Sequence, residues 1–421
     1  MNLRYSVSLF ILCLSALAVL GQRFVGVPAL ALAASGDTSS ARKVEIVLID
    51  GETFTAGPVS IGESEATFRT TGGVRKVPMR NLWRVRFAQP GELMERPGGK
   101  VITLLGGGMV GLESIRLNGG KITTKSELLG NAAFELSSVE TIYLPKRNQR
   151  PDELEKRCEE MSLRSGKYDY LVAEDTKGDW IPVPGVLKTI EPEKITFRFE
   201  EADRTVGLEF VRVIKLARIS QKSVSPAGRI IGRDGSAIDF TSLKFNRSKL
   251  SVMADGLTGD AVNLPAVAEI RFRSDRFVYL SGLKPAGVAQ AGLFGDVSFP
   301  YRRDLSSAGS PLRIGKKTYA RGLGMHSRCE LTYNLDGKFI LFAAEAGIDN
   351  AGGKRGDATL KILGDGTELL KPTNLTGGKD ALPVRCDVTG VKKLTILVDF
   401  GADGIDAGDH VDLGEARLVK K

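Results

Sequence analysis

The sequence predicts an all-β protein in which several small barrel-like units precede a C-terminal β-sandwich. Its 49 glycines are scattered among short runs of Val, Ile, Leu and Phe, a composition typical of many strands joined by turns. Apolar residues alternate with polar ones within these runs, as in strands that bury one face. At 421 residues the chain is too long for one core and is expected to form about two to four domains.

The N-terminus has the pattern of an export signal, predicted to span residues 1–34. A short basic start at residues 1–4 precedes an apolar stretch at 7–20, and an Ala-Leu-Ala cleavage site follows at 31–33. We therefore expect a secreted protein, or one of the periplasm or cell envelope. A retained membrane anchor is the alternative, and no later stretch is long and apolar enough to span a bilayer.

Four β-rich units follow a short linker. They are predicted at residues 41–95, 97–147, 168–220 and 226–283. Each has a strand, a turn, two or three alternating strands and a final strand in which polar and apolar residues alternate. Their spacing of roughly 45–60 residues lies in the range that signals internal duplication. In hydrophobic pattern and turns the units distantly resemble Sm-like folds, and we expect them to serve as a spacer or interaction platform.

A helix is predicted at residues 151–165, between the second and third units. Pro151 and two acidic residues fill its first turn, as helix starts prefer. Leu154, Cys158 and Met161 then fall on one face of the helix. This stripe favours packing against a barrel, and a partner-binding helix is the alternative.

The C-terminal segment, residues 290–421, carries the most informative motifs. They are Gly-Leu-Gly-Met-His-Ser at 322–327, Ala-Gly-Ile-Asp at 346–349, Gly-Asp-Gly at 364–366 and Asp-His-Val-Asp at 409–412. The chain has two histidines, His326 and His410, and both lie in these motifs. Apolar runs at 339–344 and 394–400 predict central buried strands, so that two sheets would enclose one core.

In these motifs and their order the segment resembles the NPCBM family, the glycoside hydrolase family 98 carbohydrate-binding module. The resemblance implies a jelly-roll β-sandwich related to galactose-binding-like domains, with a glycan or polysaccharide as partner and often a structural calcium. The family's ending usually carries Trp where this chain has Leu413, and the segment contains no tryptophan. The missing Trp favours a second hypothesis, in which the sandwich has lost sugar binding.

The predicted carbohydrate-binding residues are Tyr319, His326, Asp349 and His410, with Tyr301 as a further aromatic candidate. Sugar sites place an aromatic face against the apolar side of the ring and polar groups near the hydroxyls. The alternative for each histidine is structural, because an imidazole in such a motif can fix a loop by bonding a carboxylate or carbonyl.

Calcium is the cofactor that the sequence suggests. Aspartates recur through the loop that precedes the last strand, and the predicted ligands are Asp399, Asp406, Asp409 and Asp412. Oxygen-rich loops of this kind can hold Ca²⁺. Solvated turn aspartates are the alternative, and no other cofactor is expected.

Two cysteines of the segment, Cys329 and Cys386, lie in predicted strands. A disulfide between them is predicted for an oxidising compartment, with two buried free thiols as the alternative.

Catalysis is not expected. A glycosidase needs two carboxylates opposed across a sizeable cleft, which nothing outside the C-terminal segment supplies. With both histidines in that segment, no Ser-His-Asp or Cys-His arrangement is indicated upstream. The net charge of +9 is spread among acidic residues without a long basic run, so nucleic acid is not an expected partner.

Three hypotheses follow. The leading one is an exported, non-catalytic protein that binds glycans through its C-terminal sandwich. The second is a structural or assembly protein of the cell envelope whose sandwich contacts envelope proteins without binding sugar. The third is a nucleic-acid binder built on Sm-like barrels, against which the export signal argues.

Overall fold

The computed structural model describes residues 43–87, 94–161, 163, 166–217, 225–259, 262–295 and 299–421. The predicted export signal at residues 1–34 lies outside them. Strands dominate the described residues, which confirms the predicted all-β class. The chain from residue 41 onwards forms one compact unit. No helix in the described part of the chain is long and apolar enough to cross a membrane.

The first two units are built from short antiparallel strands. The first contains β1 (Val44–Leu48), β2 (Thr53–Ile61), β3 (Glu65–Thr70), β4 (Gly73–Pro78) and β5 (Leu82–Arg86). The second contains β6 (Lys100–Leu104), β7 (Gly108–Leu112), β8 (Ser114–Asn118), β9 (Lys121–Ser126), β10 (Gly130–Glu135) and β11 (Val139–Tyr143). In both units the first strand pairs with the last, β1 with β5 and β6 with β11, as a strongly curved sheet requires.

One α-helix, α1 (Pro151–Glu160), precedes the third unit. Its buried residues Leu154 and Cys158 pack against Tyr143 and Val213, so the apolar stripe covers the seam between two units. The third unit contains β12 (Asp169–Glu174), β13 (Trp180–Ile190), β14 (Lys194–Phe199), β15 (Ala202–Gly207) and β16 (Val211–Lys215). The fourth contains β17 (Gly228–Gly232), β18 (Ala237–Phe240), β19 (Ser242–Asn246), β20 (Lys249–Met253), β21 (Leu257–Thr258) and β22 (Val267–Phe272).

All four units end in the same local structure, a 3₁₀ turn followed by a strand. The first and fourth residues of that strand are buried in every unit, as the pairs Leu82 and Val85, Val139 and Ile142, Val211 and Ile214, and Val267 and Ile270 show. These final strands pair two by two, β5 with β22 and β11 with β16. The units therefore share one continuous hydrophobic core.

The C-terminal sandwich consists of thirteen strands. They are β23 (Phe277–Tyr279), β24 (Gly287–Gln290), β25 (Arg302–Arg303), β26 (Leu312–Ile314), β27 (Lys317–Tyr319), β28 (Gly322–His326), β29 (Cys329–Asn334), β30 (Phe339–Ile348), β31 (Asp357–Gly364), β32 (Thr367–Thr376), β33 (Leu382–Asp387), β34 (Lys393–Phe400) and β35 (His410–Lys420). One sheet has the order β25-β28-β35-β30-β33 with β23 on β35, and the facing sheet has the order β24-β29-β34-β31-β32. Alternate residues of β31 point into the core between them.

The sandwich packs directly against the first unit. Val419 near the end of β35 contacts Val47, Ile49 and Trp83, and Phe277 of β23 joins the same cluster. The indole of Trp83 lies between the guanidiniums of Arg84 and Arg417, at 3.8 and 4.1 Å from the ring centroid. This junction fixes one sheet of the sandwich on the barrel units.

Candidate functional site

A cleft of about 520 Å³ opens at one rim of the sandwich. We call it the rim cleft. Its prominent side chains are Phe294, Phe299, His326, Arg328, Asp406 and His410. The cleft thus combines two aromatic rings, two imidazoles and a cation, which is the composition of a small-molecule site with a few placed polar groups.

The two histidines meet because of strand register. His326 ends β28, His410 begins β35, and the two residues lie directly opposite each other. Their ring centroids are 4.8 Å apart, and the ring of Phe299 lies 4.9 Å from His326 and 4.6 Å from His410. The structure therefore brings the two predicted histidines together with a phenylalanine that the sequence analysis did not select.

Hydrogen bonds set the imidazoles. Nδ1 of His326 lies 2.9 Å from the carbonyl oxygen of Ser327, which can only accept, so Nδ1 carries the proton and the neutral ring keeps Nε2 as an acceptor. Nδ1 of His410 bonds the hydroxyl of Ser307 at 2.8 Å. Burial, and secondarily the neighbouring His326, lower the pKa of His410, which favours its neutral form.

Gly324 explains part of the Gly-Leu-Gly-Met-His-Ser motif. A Cβ at this position would lie 2.3 Å from the carbonyl oxygen of Leu305 and 2.5 Å from the amide nitrogen of Ser307. Only glycine lets residues 305–307 pack closely against β28. That contact places the Ser307 hydroxyl within hydrogen-bonding distance of His410. Asp409 fixes the other side, since its Oδ2 accepts from the Ser327 hydroxyl at 2.6 Å.

The aromatic surface of the cleft comes from a loop. Phe294 is 94% exposed and Phe299 is 38% exposed. Leu413, at the position where the family carries Trp, is fully buried in the sandwich core and pairs with Leu323. The sequence analysis missed both phenylalanines. The signal was present, because apolar rings in a glycine-containing stretch outside any strand pattern have no core to enter.

Tyr319 and Asp349 lie elsewhere. Tyr319 is buried and donates its hydroxyl proton to Oε2 of Glu345 at 2.7 Å, away from the rim cleft. Asp349 is buried, accepts the Ala351 N–H at 2.8 Å, and donates its own N–H to the His410 carbonyl at 2.7 Å. Asp349 thus fixes the strand that carries His410 and does not face the cleft. Tyr301 packs, partly buried, against the sandwich core.

Asp349 and Asp412 form a buried carboxyl pair. Both accept the backbone N–H of Arg313, at 2.9 and 2.8 Å. Burial raises the pKa of Asp412 to about 9, and its hydrogen bond and charge repulsion with Asp349 add to this. Asp412 is therefore protonated at neutral pH.

The predicted calcium ligands do not converge. Asp399 pairs with Lys361 at 3.1 Å, Asp406 accepts the Leu293 N–H at 2.9 Å, and Asp409 and Asp412 have the separate partners described above. The described residues include no group of three or more His, Cys, Asp or Glu that could hold a metal ion. This donor set does not fit calcium as arranged, and calcium binding stays a prediction.

The predicted disulfide is absent from the structure. Cys329 of β29 and Cys386 of β33 are both buried free thiols, one in each sheet of the sandwich. Burial raises the pKa of Cys329 to about 12 and that of Cys386 to about 11, so both sulfurs behave as small apolar groups of the core.

Comparison with known proteins identifies the domain that holds this cleft. Residues 276–419 match the sequence model of the NPCBM/NEW2 domain, which confirms the resemblance. The C-terminal third therefore carries an NPCBM/NEW2 domain. The match begins earlier than the predicted boundary at residue 290, because β23 pairs with β35 and belongs to the sandwich.

A curated relative and two solved structures share parts of the chain. A 90-residue segment, 21% of the chain, is 32% identical to the "Putative endo-alpha-N-acetylgalactosaminidase" of Renibacterium salmoninarum, and the chain spans only 6% of that protein. The CBM51 module of a Clostridium perfringens GH95 protein, solved with methyl-galactose, is 22% identical, covers 34% of this chain and 99% of its own, and has a TM-score of 0.31. Tandem CBM51 modules of a Streptococcus pneumoniae family 98 glycoside hydrolase are 12% identical over 90% of this chain and 88% of theirs, with a TM-score of 0.30.

Proposed function

We propose that this is an exported, non-catalytic protein that binds glycans in the rim cleft, with the barrel units as a spacer or interaction platform. The observation that carries the proposal is the cluster of Phe299, His326 and His410 beside the exposed ring of Phe294. An aromatic face suits the apolar side of a pyranose ring. The acceptor Nε2 of His326 and the donors of Arg328 suit its hydroxyls.

A binding role without hydrolysis is supported by the lining of the cleft. Among the described lining residues Asp406 is the one carboxylate, and glycoside hydrolysis ordinarily uses two across the scissile bond. Asp406 already accepts a backbone N–H from Leu293. Incubation of the protein with any glycan that it binds, followed by chromatography of the products, tests this part, and released sugar would contradict it.

Export is supported by the basic start, apolar stretch and small-residue cleavage site of residues 1–34. N-terminal sequencing of the protein recovered outside the cytoplasm is expected to give a start near Ala34. Recovery of the uncleaved chain with membranes would instead indicate a retained anchor.

The central test is a glycan array probed with the purified protein, with and without calcium. We expect bound glycans whose affinity falls at least about tenfold in Phe299→Ala, because the ring that stacks on the sugar is lost. Phe210→Ala is the matched control, since Phe210 is about half exposed in the third unit and lies far from the cleft in sequence. Equal affinity of Phe299→Ala and wild type would place sugar binding elsewhere.

The second candidate function is an assembly role in the cell envelope without sugar binding. The burial of Leu413 where the family carries Trp favours it, because that position cannot present a stacking ring. This candidate expects no glycan on the array in either the presence or the absence of calcium. Co-purification of envelope proteins that depends on Phe294 would then support it.

A further inference from the structure

A second groove, of about 780 Å³, lies where the first and fourth barrel units meet the sandwich. We call it the junction groove. Its floor comes from β5 and β22, and its wall comes from β26, β27 and the loop of Asp304 and Leu305. Ligand sites commonly have volumes of roughly 300–1,000 Å³ and lie between domains. The groove therefore has the size and position of a ligand-binding site, and it is separate from the rim cleft.

Three arginines of the floor share one carboxylate. Arg84, Arg86 and Arg271 approach Glu269 to 3.7, 3.2 and 2.8 Å. Burial opposes ionisation of Glu269, yet the three guanidiniums outweigh it and lower its pKa to about 2. Glu269 is therefore ionised near neutral pH, but its single negative charge cannot neutralise the positive charges of three arginines.

Neighbouring carboxylates do not restore the balance. Glu415 pairs with Arg84 at 2.6 Å and Glu45 pairs with Arg86 at 3.0 Å. Beneath them the buried Arg417 bonds carbonyl oxygens, with no carboxylate in ion-pair contact among the described residues. Burial lowers the pKa of Arg417 to about 10, which still leaves it charged at neutral pH. The cluster thus holds four guanidiniums (Arg84, Arg86, Arg271, Arg417) against three carboxylates (Glu45, Glu269, Glu415).

The rim of the groove adds positive charge. Lys316 is exposed on the turn between β26 and β27, and within the described part of the chain it has no acidic partner. The acidic rim residues are matched, Glu95 by Arg313 at 3.3 Å and Asp304 by Arg321 at 2.8 Å. In the floor, the Nε of buried Arg84 also has no hydrogen-bond partner. The Oε2 of buried Glu415, which also lines the groove, has no hydrogen-bond partner among the described residues either, so the groove and its rim are short of negative charge and not of acceptors.

Apolar surface accompanies this charge. Met94 is 55% exposed and Leu305 is 38% exposed on the walls, so both can cover a ring face. The groove also borders the rim cleft along the chain. Leu305 and Asn350 line the groove, while Ser307 bonds His410 and Ala351 lines the cleft. The two sites therefore adjoin at Asn350 and Ala351, which are consecutive residues.

We propose that the junction groove is a second binding site, which takes the carboxylate of an acidic saccharide such as a uronate. The choice of an anion rests on the unbalanced arginines and Lys316. The choice of a saccharide rests on the proposed function, because the groove adjoins the proposed glycan-binding cleft. Arg271 and Lys316 contact the carboxylate, and Met94 and Leu305 pack on the sugar ring.

Calorimetric titration at low salt with digalacturonate and with its methyl ester tests the proposal. The ester removes the negative charge of the disaccharide and keeps its sugar rings. We expect the acid to bind about tenfold or more tightly than the ester, and to weaken as salt is added. Lys316→Glu and Arg271→Gln are each expected to lower its affinity about fivefold to tenfold.

Lys371→Glu is the matched control, because it makes the same charge change at an exposed residue of β32 outside the groove. Phe299→Ala separates the two proposals. It is expected to leave digalacturonate affinity unchanged while lowering affinity for the glycans bound on the array at least about tenfold. Equal affinity for acid and ester, no binding to wild type, or full affinity in Lys316→Glu would overturn the groove proposal and leave the rim cleft unaffected.

Discussion

At the residue scale, the environment of Asp412 changes its chemistry most. It is fully buried beside Asp349, and the two carboxyls share the backbone N–H of Arg313 as a donor. A folded-state pKa of about 9 lies above the usual value, so the folded protein keeps a proton that the unfolded chain releases. The contribution of Asp412 to stability is therefore complete below its unfolded pKa and is lost as pH rises towards 9.

Asp412→Asn is expected to stabilise the protein at alkaline pH. The amide stays neutral, can donate to Asp349, and can accept the Arg313 N–H. The variant therefore avoids the free-energy cost of keeping a buried carboxyl protonated, or of burying its charge, at alkaline pH. We expect the free energy of unfolding to rise by on the order of 2 kcal/mol at pH 8.5 and by less at pH 5. Denaturant unfolding at both pH values measures this. The control is Asp336→Asn, an exposed turn residue with φ of 49°, which asparagine tolerates.

The second prediction at this scale concerns the imidazoles. Burial and His326 depress the pKa of His410, so it is expected to titrate below its usual value near 6.5. The stability that it contributes is present above that value and is lost as pH falls. An NMR titration is straightforward, because the chain has two histidines. His326→Asn is expected to raise the pKa of His410. A pKa that falls or stays constant in this variant would contradict the coupling.

At the scale of elements, the contact between the Ser306–Ser307 segment and β28 decides the cleft. Gly324→Ala inserts a methyl group about 2.3 Å from the Leu305 carbonyl oxygen, so the segment must move and Ser307 must leave His410. We expect glycan affinity to fall about tenfold while the strand content by circular dichroism stays unchanged. Gly366→Ala, in an open turn with nothing near its Cβ, tests instead the effect of strain alone, since its φ is 85°. Similar affinity losses in the two variants would exclude the positional explanation.

Much of this architecture was predictable from sequence, and its failures have physical causes. The apolar runs at 339–344 and 394–400 predicted two central strands of the sandwich, and they lie in β30 and β34, because a strand buried on both faces is apolar along its length. The meeting of His326 and His410 depends on register between two strands that lie far apart in the chain, which periodicity does not specify. Phe294 and Phe299 were missed because loops have no period. The hydrogen-bond and ion-pair partners of the loop aspartates could not be predicted either, because they come from residues far away in the chain.

At the scale of the whole molecule, the sandwich and the barrel units are one body. Arg417 of β35 donates to the Ile49 carbonyl oxygen at 2.8 Å, Arg84 pairs with Glu415, and Trp83 packs on Phe277. Removing the barrel units would expose this surface and leave Glu415 without its cation. A buried charge that loses its partner is strongly destabilising.

An isolated module of residues 276–421 is therefore expected to melt well below the full chain. Differential scanning calorimetry measures the two transitions, and light scattering reports association through the exposed Trp83 contact surface. A single transition in the full chain would agree with one cooperative body. An isolated module as stable as the full chain would show that the junction adds no stability.

The last strand has a mechanical consequence. β35 begins at the cleft with His410 and ends at the barrels with Val419, and strands flank it on both sides along most of its length. If a bound polymer pulled on the first residue of β35, the force would act along the axis of that strand. The hydrogen bonds to both flanking strands would then be loaded in shear at the same time and would not open one by one. A load applied at the rim of the sandwich would therefore not peel the sandwich from the barrel units.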